Sequence, residues 1–237
     1  MVAAAGQAFD VLGPLTGRNV PDAVTHGKLD HDDRGTQLRQ SQASAVTGTV
    51  EVPPEFRGIW RRSSVRYGTD RPTEPALTLW WQAPHRFIDV RWRFDSSSPE
   101  VDGLSLDRVM AGHTTYEEAG FLTWHHDIDS FSGAGADRSA VHWEGEDLIE
   151  VGELGPAPDG APAEFTEVWR RMVSEQPDIS DQHTGESRLL SGRVGSWTVE
   201  VAVPAGPDEP TTVLLECRGS AHWSLRATFP PSSPGAD

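Results

Sequence analysis

The feature that most constrains the fold is a series of short segments in which apolar and polar residues alternate. The first spans residues 58–67, and the next two, 77–82 and 86–94, are separated only by the turn Ala83-Pro84-His85. Further segments follow at about 109–116, 120–129, 139–144, 147–154, 186–193, 195–203, 211–218 and 221–229. Short strands at hairpin spacing, without alternating helices, are typical of antiparallel sandwiches and barrels. The sequence therefore predicts an all-β fold.

One segment, residues 163–174, is compatible with two structures. Phe165, Val168, Trp169 and Met172 recur at helical spacing, which favours a short helix. Phe165, Glu167 and Trp169 also alternate, as the residues of a strand do. We therefore expect at most one short helix, with a barrel strand as the alternative.

The length of 237 residues suits one large β domain. Residues 1–50 contain no Trp and no sustained period, and residues 231–237 are rich in Pro and Ser. Segments of this composition do not bury enough apolar surface to fold alone. We predict a disordered arm over 1–50, a barrel domain over 51–230 and a disordered tail over 231–237.

Charge excludes several classes of partner. The chain has 36 acidic and 20 basic side chains and a formal net charge of −16. Nucleic acids and anionic membrane surfaces attract clustered Lys and Arg, so neither is expected here. Cys217 is the only cysteine, which leaves no intrachain disulfide, and no apolar stretch is long enough to cross a bilayer. A cytoplasmic protein without a secretory signal is the expectation.

Alternation also assigns residues to the two faces of each strand. In 86–94, Ile88, Val90, Trp92 and Phe94 lie opposite Asp89, Arg91 and Arg93, and in 121–129, Leu122, Trp124, His126 and Ile128 lie opposite His125, Asp127 and Asp129. If the apolar faces point inward, five tryptophans wall the lumen: Trp92, Trp124, Trp143, Trp197 and Trp223. His126 is then the most conspicuous polar group inside the barrel.

The candidate catalytic residues are His126, Tyr116 and Glu117. A histidine on an apolar face can act as a general acid or base, because its pKa lies near neutrality, although it is more often a hydrogen-bonded core residue. Tyr116 and Glu117 precede the turn that leads into the His126 strand, and they supply the second polar group. The candidate ligand-binding residues are Trp81, Trp92, Trp124 and Trp143.

Cofactor sites are weakly supported by the sequence. His113, His125 or His126, and His142 are too scattered to predict a metal site. A haem group would need one axial histidine in an apolar lumen, which His126 could provide. Motifs for nucleophilic hydrolysis, phosphate binding and dinucleotide binding are missing from the sequence. We expect no cofactor, with haem as the alternative.

Several phrases of the sequence together resemble a known family. They are Gly58-x-Trp60, Trp80-Trp81-Gln82, Phe87-Ile88-Asp89-Val90-Arg91, Ala111-Gly112, 122–129 (LTWHHDID), 145–152 (GEDLIEVG) and 165–170 (FTEVWR). The set is similar to the calycin-like family typified by a fungal casein-kinase-interacting protein of two fused barrel-like halves, with bacterial relatives. This resemblance implies a β-barrel but supplies no catalytic residues. It implies that Arg226 packs over Trp60, as the lipocalin arginine does over the first-strand Trp.

The leading functional hypothesis is a small apolar or aromatic ligand held in the barrel. The resemblance adds a cofactor-free acid–base reaction of the cyclase, isomerase or decarboxylase (lyase) type. The alternatives are a non-catalytic barrel that holds haem or a lipid, and an interaction protein with a filled barrel. In that last case a protein partner would bind the charged strand faces.

Overall fold

A computed structural model describes residues 51–94, 104–130, 135–156, 162–206, 209–218 and 222–229. The predicted N-terminal arm and C-terminal tail lie outside these residues. Nearly all of the described chain is β-strand, which confirms the predicted fold class. No helix in the described ranges has the length and hydropathy to cross a bilayer.

Eight antiparallel strands close into a barrel, with β1 paired to both β2 and β8. A short 3-10 helix, Pro54–Phe56, precedes the barrel. The strands are β1 (Gly58–Tyr67), β2 (Ala76–Gln82), β3 (Arg86–Phe94), β4 (Leu104–Glu117), β5 (Phe121–Asp129), β6 (Gly135–Glu144), β7 (Asp147–Pro156) and β8 (Pro162–Val173). The segment with two compatible structures is strand β8. Its backbone groups pair with β1 on one side and β7 on the other. A helix at this place would leave the facing backbone groups of β1 and β7 without these partners.

The last five strands form a second sheet instead of extending the barrel. They are β9 (Asp178–Thr184), β10 (Ser187–Val194), β11 (Trp197–Val203), β12 (Thr211–Arg218) and β13 (His222–Phe229), each paired to the next in sequence. All connections are antiparallel hairpins. The chain thus completes one closed barrel and then folds back as an open sheet.

The molecule has two hydrophobic cores. One lies inside the barrel and includes Trp60, Trp80, Trp124 and Trp169. The other lies between the barrel's outer surface and the second sheet, and its larger members are Leu77, Leu79, Trp81, Ile88, Val90 and Trp92 from the barrel with Leu190, Trp197, Val199, Val201, Val213 and Leu215 from the sheet. The apolar face of β3, which we predicted to face the lumen, therefore faces the second sheet.

An ion-pair network joins the two layers. Asp181 on β9 accepts hydrogen bonds from Arg86 on β3 at 2.8 Å and from Arg188 on β10 at 2.7 and 2.9 Å. Arg188 also donates to Asp127 on β5 at 2.9 Å. Because Asp181 is largely shielded from water, these charge-assisted bonds fix the sheet against one side of the barrel.

Two glycines permit close backbone contacts in the barrel. Gly58 has φ +131°, and a Cβ atom there would lie 2.2 Å from the carbonyl oxygen of Val173. Gly112 lies at a register shift between β4 and β5, where a Cβ atom would lie 2.0 Å from the carbonyl oxygen of His125. Glycine is required at both positions because any side chain would collide with backbone.

Candidate functional site

The barrel encloses a cavity of about 280 Å³ at one end of its lumen. Aromatic residues form part of its wall: Tyr67, Trp80, Phe87, Trp124, Phe165 and Trp169. The remaining lining includes Asp89, Arg91, Arg108, Met110, His126, Asp137, Arg138, Ser139, Glu150, Glu153 and Glu167. Exposed Tyr67, Asp137 and Glu153 mark its mouth. The cavity is therefore amphipathic and not apolar.

The opposite end of the lumen is filled by aromatic side chains. Trp60 lies 5.9 Å from Trp80, measured between ring centroids, and 5.7 Å from Trp143. Phe56, from the helix before β1, stacks on Trp143 at 6.0 Å. These rings form a floor beneath the cavity.

The polar wall comes from the charged face of β3, which we predicted to lie outside the barrel. Arg91 donates two hydrogen bonds to Asp89, at 2.9 and 3.2 Å. Arg62 on β1 pairs with Glu74 at 2.9 Å and with Glu167 on β8 at 2.5 Å. Charged groups are retained inside a protein when they are paired and hydrogen-bonded. The outward placement of Asp89 and Arg91 was wrong for this reason: alternation separates two faces but does not say which is interior.

His126 faces the cavity, as predicted, but both of its ring nitrogens are engaged. Nδ1 lies 3.0 Å from Asp129 and Nε2 lies 3.3 Å from Asp137. Burial opposes the charged imidazolium, but the hydrogen bonds that the ring donates to Asp129 and Asp137 outweigh burial and raise the pKa of His126 to about 9. Near neutrality His126 is therefore a cation held between two carboxylates.

Glu150 is the buried acid that the sequence analysis did not single out. It lies on β7 directly opposite Glu167, and its Oε2 accepts a hydrogen bond from Trp169 Nε1 at 3.0 Å. Burial, followed by the adjacent charge of Glu167, raises the pKa of Glu150 to about 8. The available signal was a carboxylate sharing a strand face with apolar Leu148. Glu150 is a neutral carboxylic acid at neutral pH.

The three predicted catalytic residues are not brought together. Tyr116 packs on Phe56, with 5.6 Å between ring centroids, at the filled end of the barrel. Glu117 is exposed, and both of its oxygens accept hydrogen bonds from Arg138 at 2.9 Å. Of the three, only His126 lines the cavity.

The predicted tryptophan wall is replaced by a different set of rings. Trp124 lines the cavity as expected, together with Trp80 and Trp169. Trp81 and Trp92, predicted ligand contacts, and Trp197, a predicted wall residue, belong to the core beneath the second sheet. Trp143 lies at the filled end with 40% of its surface exposed. Trp223 is on β13, and its side chain lies outside the described part of the structure.

The histidines predicted as weak metal candidates do not form a ligand set. The rings of His113 and His125 stack with 4.4 Å between centroids, while His126 points to the other face of the same strand. His142 lies apart, 3.4 Å from Glu144. Within the described ranges, no group of three or more His, Cys, Asp or Glu side chains is arranged to hold a metal ion.

The arginine over Trp60 is Arg171 and not Arg226. The guanidinium carbon of Arg171, on the last barrel strand, lies 4.5 Å from the centre of the Trp60 ring. Arg226 is exposed on β13 of the second sheet, where it pairs with Leu214. The expectation failed because the chain's last strand is not the barrel's last strand.

Comparison with known proteins supports the architecture. The crystal structure of the uncharacterized protein YLR301w from Saccharomyces cerevisiae superposes with a TM-score of 0.52 at 15% identity, covering 76% of this chain and 91% of that one. At this identity the similarity shows a shared fold. No curated protein matches the chain. Residues 58–215 match the family described as Protein HRI1. Because this match spans well over half of the sequence, the chain belongs to the HRI1 family.

Proposed function

We propose that the protein binds a small molecule in the barrel cavity. The observation that carries the proposal is a solvent-accessible cavity of about 280 Å³ in which aromatic rings meet buried polar groups. Small-molecule sites combine an apolar or aromatic wall with a few fixed polar groups, and the cavity lies at the lower end of their usual size range. The ligand expected from this lining has an aromatic or other flat part and one polar group.

An unpartnered polar atom supports the same conclusion. The Ser139 hydroxyl is buried in the cavity wall beside Glu150, and no described residue forms a hydrogen bond of good geometry with it. Buried polar atoms are normally hydrogen-bonded, because an unpaired one loses its interaction with water. A bound ligand would supply the missing partner.

We restrict the proposal to binding. Acid–base turnover by His126 with Tyr116 or Glu117 has no geometric support, because the three side chains lie apart. Haem ligation by His126 would require breaking its contact with Asp129 or Asp137. A cavity of about 280 Å³ is also small for a long acyl chain.

A cavity-filling variant tests the proposal. Native mass spectra of the freshly purified protein, compared with denatured spectra, are expected to show a bound mass that Ser139→Phe loses. The matched control is Ser224→Phe, because Ser224 is exposed on the second sheet. Met110→Trp is a second filling variant, since Met110 also lines the cavity.

Only variants that remain folded can test whether the ligand binds in the cavity. Far-UV circular dichroism checks that each variant keeps its β-structure. An adduct that persists in both cavity-filling variants would place the ligand elsewhere and contradict the proposal. If the wild type carries no adduct, an NMR screen of small aromatic amines, alcohols and acids replaces the spectra. No binder in that screen would also contradict it.

We also propose that this barrel is calycin-like. Two features support the assignment: the Gly58-x-Trp60 start of the first strand, and the Arg171 guanidinium over the Trp60 ring. Arg171→Ala should expose the Trp60 end of the barrel and lower its stability, which unfolding in urea measures. Unchanged stability would remove the second of these two supports.

A further inference from the structure

We infer that the barrel cavity selects a small organic cation, an ammonium group carried on an aromatic or short apolar body. This inference rests on the proposed binding function and specifies the chemistry of its ligand. Three independent features of the cavity lead to it: its charge balance, its unpartnered polar atoms and its aromatic faces.

The first feature is an excess of carboxylates. The ion-paired groups around the cavity comprise four cations, Arg62, Arg91, Arg108 and His126, and five carboxylates, Glu74, Asp89, Asp129, Asp137 and Glu167. Arg138 and Glu117 add a balanced pair. Glu150 and Glu153 are additional acids in the lining. The carboxylate of Glu153 adds negative charge, and Glu150 adds more once it ionises. Added negative charge in a partly enclosed site favours a positive ligand.

The second feature is that neither of these additional acids forms an ion pair with a cation in the described part of the chain. Glu150 accepts a hydrogen bond from Trp169 and forms no ion pair with a described residue. Glu153, at the mouth, forms neither an ion pair nor a hydrogen bond within the described ranges. The buried Ser139 hydroxyl lies beside Glu150. An ammonium group at this place would find a carboxylate and a hydroxyl as acceptors for its N–H groups.

The third feature is the set of aromatic rings in the same cavity. Trp124, Trp169 and Phe165 line it, and Tyr67 stands exposed at its mouth. The face of an aromatic ring attracts a cation, most strongly for Trp, and the attraction grows when the site excludes water. Aromatic walls with carboxylates are the usual arrangement for binding ammonium ligands.

An anionic ligand is disfavoured by the same contacts. Arg91 and Arg108 reach the cavity, but each is already held by a carboxylate. Arg91 donates to both oxygens of Asp89, and Arg108 donates to both oxygens of Asp129 at 2.6 and 3.1 Å. An anion would have to displace these pairs before it gained a partner.

Binding of a cation should be linked to the proton on Glu150. A bound ammonium favours the ionised form of Glu150, so binding releases its proton and strengthens as pH rises toward 8. Glu167 on β8, Arg91 and Asp89 on β3, and Arg62 on β1 also face this part of the lumen, together with His126 on β5. Each of these groups is held in an ion pair, whereas Glu150 is not, so the proton on Glu150 is the one that we expect a bound cation to displace.

The experiment compares three ligands of one shape. Tryptamine is the cation, tryptophol its neutral counterpart and indole-3-acetate the anion. Isothermal titration calorimetry measures each dissociation constant at about pH 6 and about pH 8. Tryptamine should bind at least about tenfold more tightly than the other two at the higher pH, and about tenfold more tightly there than at the lower pH.

Glu150→Gln isolates the proposed carboxylate. It should weaken tryptamine binding about tenfold at the higher pH and remove the pH dependence. Glu200→Gln is the matched control, because Glu200 is exposed on the second sheet. This variant should change neither the affinity for tryptamine nor its pH dependence. Circular dichroism confirms that both variants are folded.

The outcomes separate this inference from the proposed function. Binding of tryptophol or indole-3-acetate at least as tight as that of tryptamine, abolished by Ser139→Phe, would overturn the cation inference and leave a small-molecule site. Tryptamine binding that is unaffected by Glu150→Gln would also overturn it. If none of the three ligands binds, the cation inference is overturned. The native mass spectra alone would then test the proposed function.

Discussion

At the residue scale, the barrel interior is defined by how each buried charge is neutralised. His126 is charged because two carboxylates surround it, whereas Glu150 is uncharged because burial and Glu167 disfavour its ionisation. Both groups bind protons more tightly in the folded chain than in an unfolded one. Both therefore reduce the stability of the fold as pH rises, over different ranges.

Glu150→Gln should flatten the loss of stability on the alkaline side. The pKa of Glu150 rises from 4.5 to about 8 on folding, so its ionisation costs stability increasingly between these values. The variant should unfold at higher urea than the wild type at about pH 8, by on the order of 2 kcal/mol. Urea unfolding followed by Trp fluorescence measures this, with Glu200→Gln as control. A variant with the wild-type pH profile would show that Glu150 is ionised in the fold.

His126→Phe should destabilise the protein and not merely remove a reactive group. The Asp129 side chain is fully buried, and it would lose His126, one of the cationic groups that hold it together with Arg108. Removing one member of a buried charge network typically costs about 3 kcal/mol. Because the pKa of His126 is raised to about 9, its contribution is complete below about pH 6.5 and is lost as pH rises through 9. The cost of the substitution should shrink accordingly, and a cost independent of pH would contradict the charged state of His126.

At the element scale, strand pairing depends on a few local irregularities. The β4–β5 register shifts at Gly112, where the backbone of His125 and Asp127 lies against the glycine. In the ladder, Gly112 pairs with His126 and lies four pairs from Tyr116, which is at the filled end of the barrel. The conformation of this bulge therefore influences how the His126 side chain enters the lumen.

Gly112→Ala should destabilise the barrel by more than about 2 kcal/mol, because its Cβ atom cannot avoid backbone 2.0 Å away. Gly135→Ala is the matched control, since a Cβ atom there meets nothing within 4 Å. Thermal unfolding of both variants measures the difference. Equal stability of the two would show that β4 and β5 pair in another register.

The sequence predicts strands better than it predicts faces. Alternation located β1 to β7 of the barrel but left β8 open between a strand and a helix, and it correctly grouped Trp124 with His126 on one face of β5. It failed on β3, where the more apolar face holds Trp92 against the second sheet and the charged face with Arg91 lines the lumen. A hydrophobic strand face indicates a surface that is shielded from water. Here the second sheet shields the outer face of β3, so hydrophobicity does not distinguish the outside of the barrel from its lumen.

At the scale of the whole molecule, one barrel and one sheet share a core. Residues 178–229 cover the barrel's outer face, and Trp81 and Trp197 belong to the core between them. Nothing in the alternation of the last five strands distinguishes a covering sheet from further barrel strands. Which strands close the barrel depends on long-range pairing of β1 with β8, which local sequence does not encode.

The shared core predicts that the barrel and the sheet unfold together. Cys217 is buried in the second sheet, so its reaction with a thiol reagent in urea reports on that layer. Trp fluorescence reports mainly on the barrel, where most of the buried tryptophans lie. The two transitions should coincide. A lower urea midpoint for Cys217 would show that the sheet detaches while the barrel persists.

The indole N–H resonances show whether the barrel interior is a small-molecule site beside Glu150. Trp169 Nε1 donates its hydrogen to Glu150, whereas Trp197 lies in the other core. In ¹H–¹⁵N spectra of the protein titrated with tryptamine, we expect the Trp169 indole signal to move in proportion to binding while that of Trp197 stays in place. A Trp197 signal that moves without that of Trp169 would rule out binding at this site, as would a spectrum that tryptamine leaves unchanged.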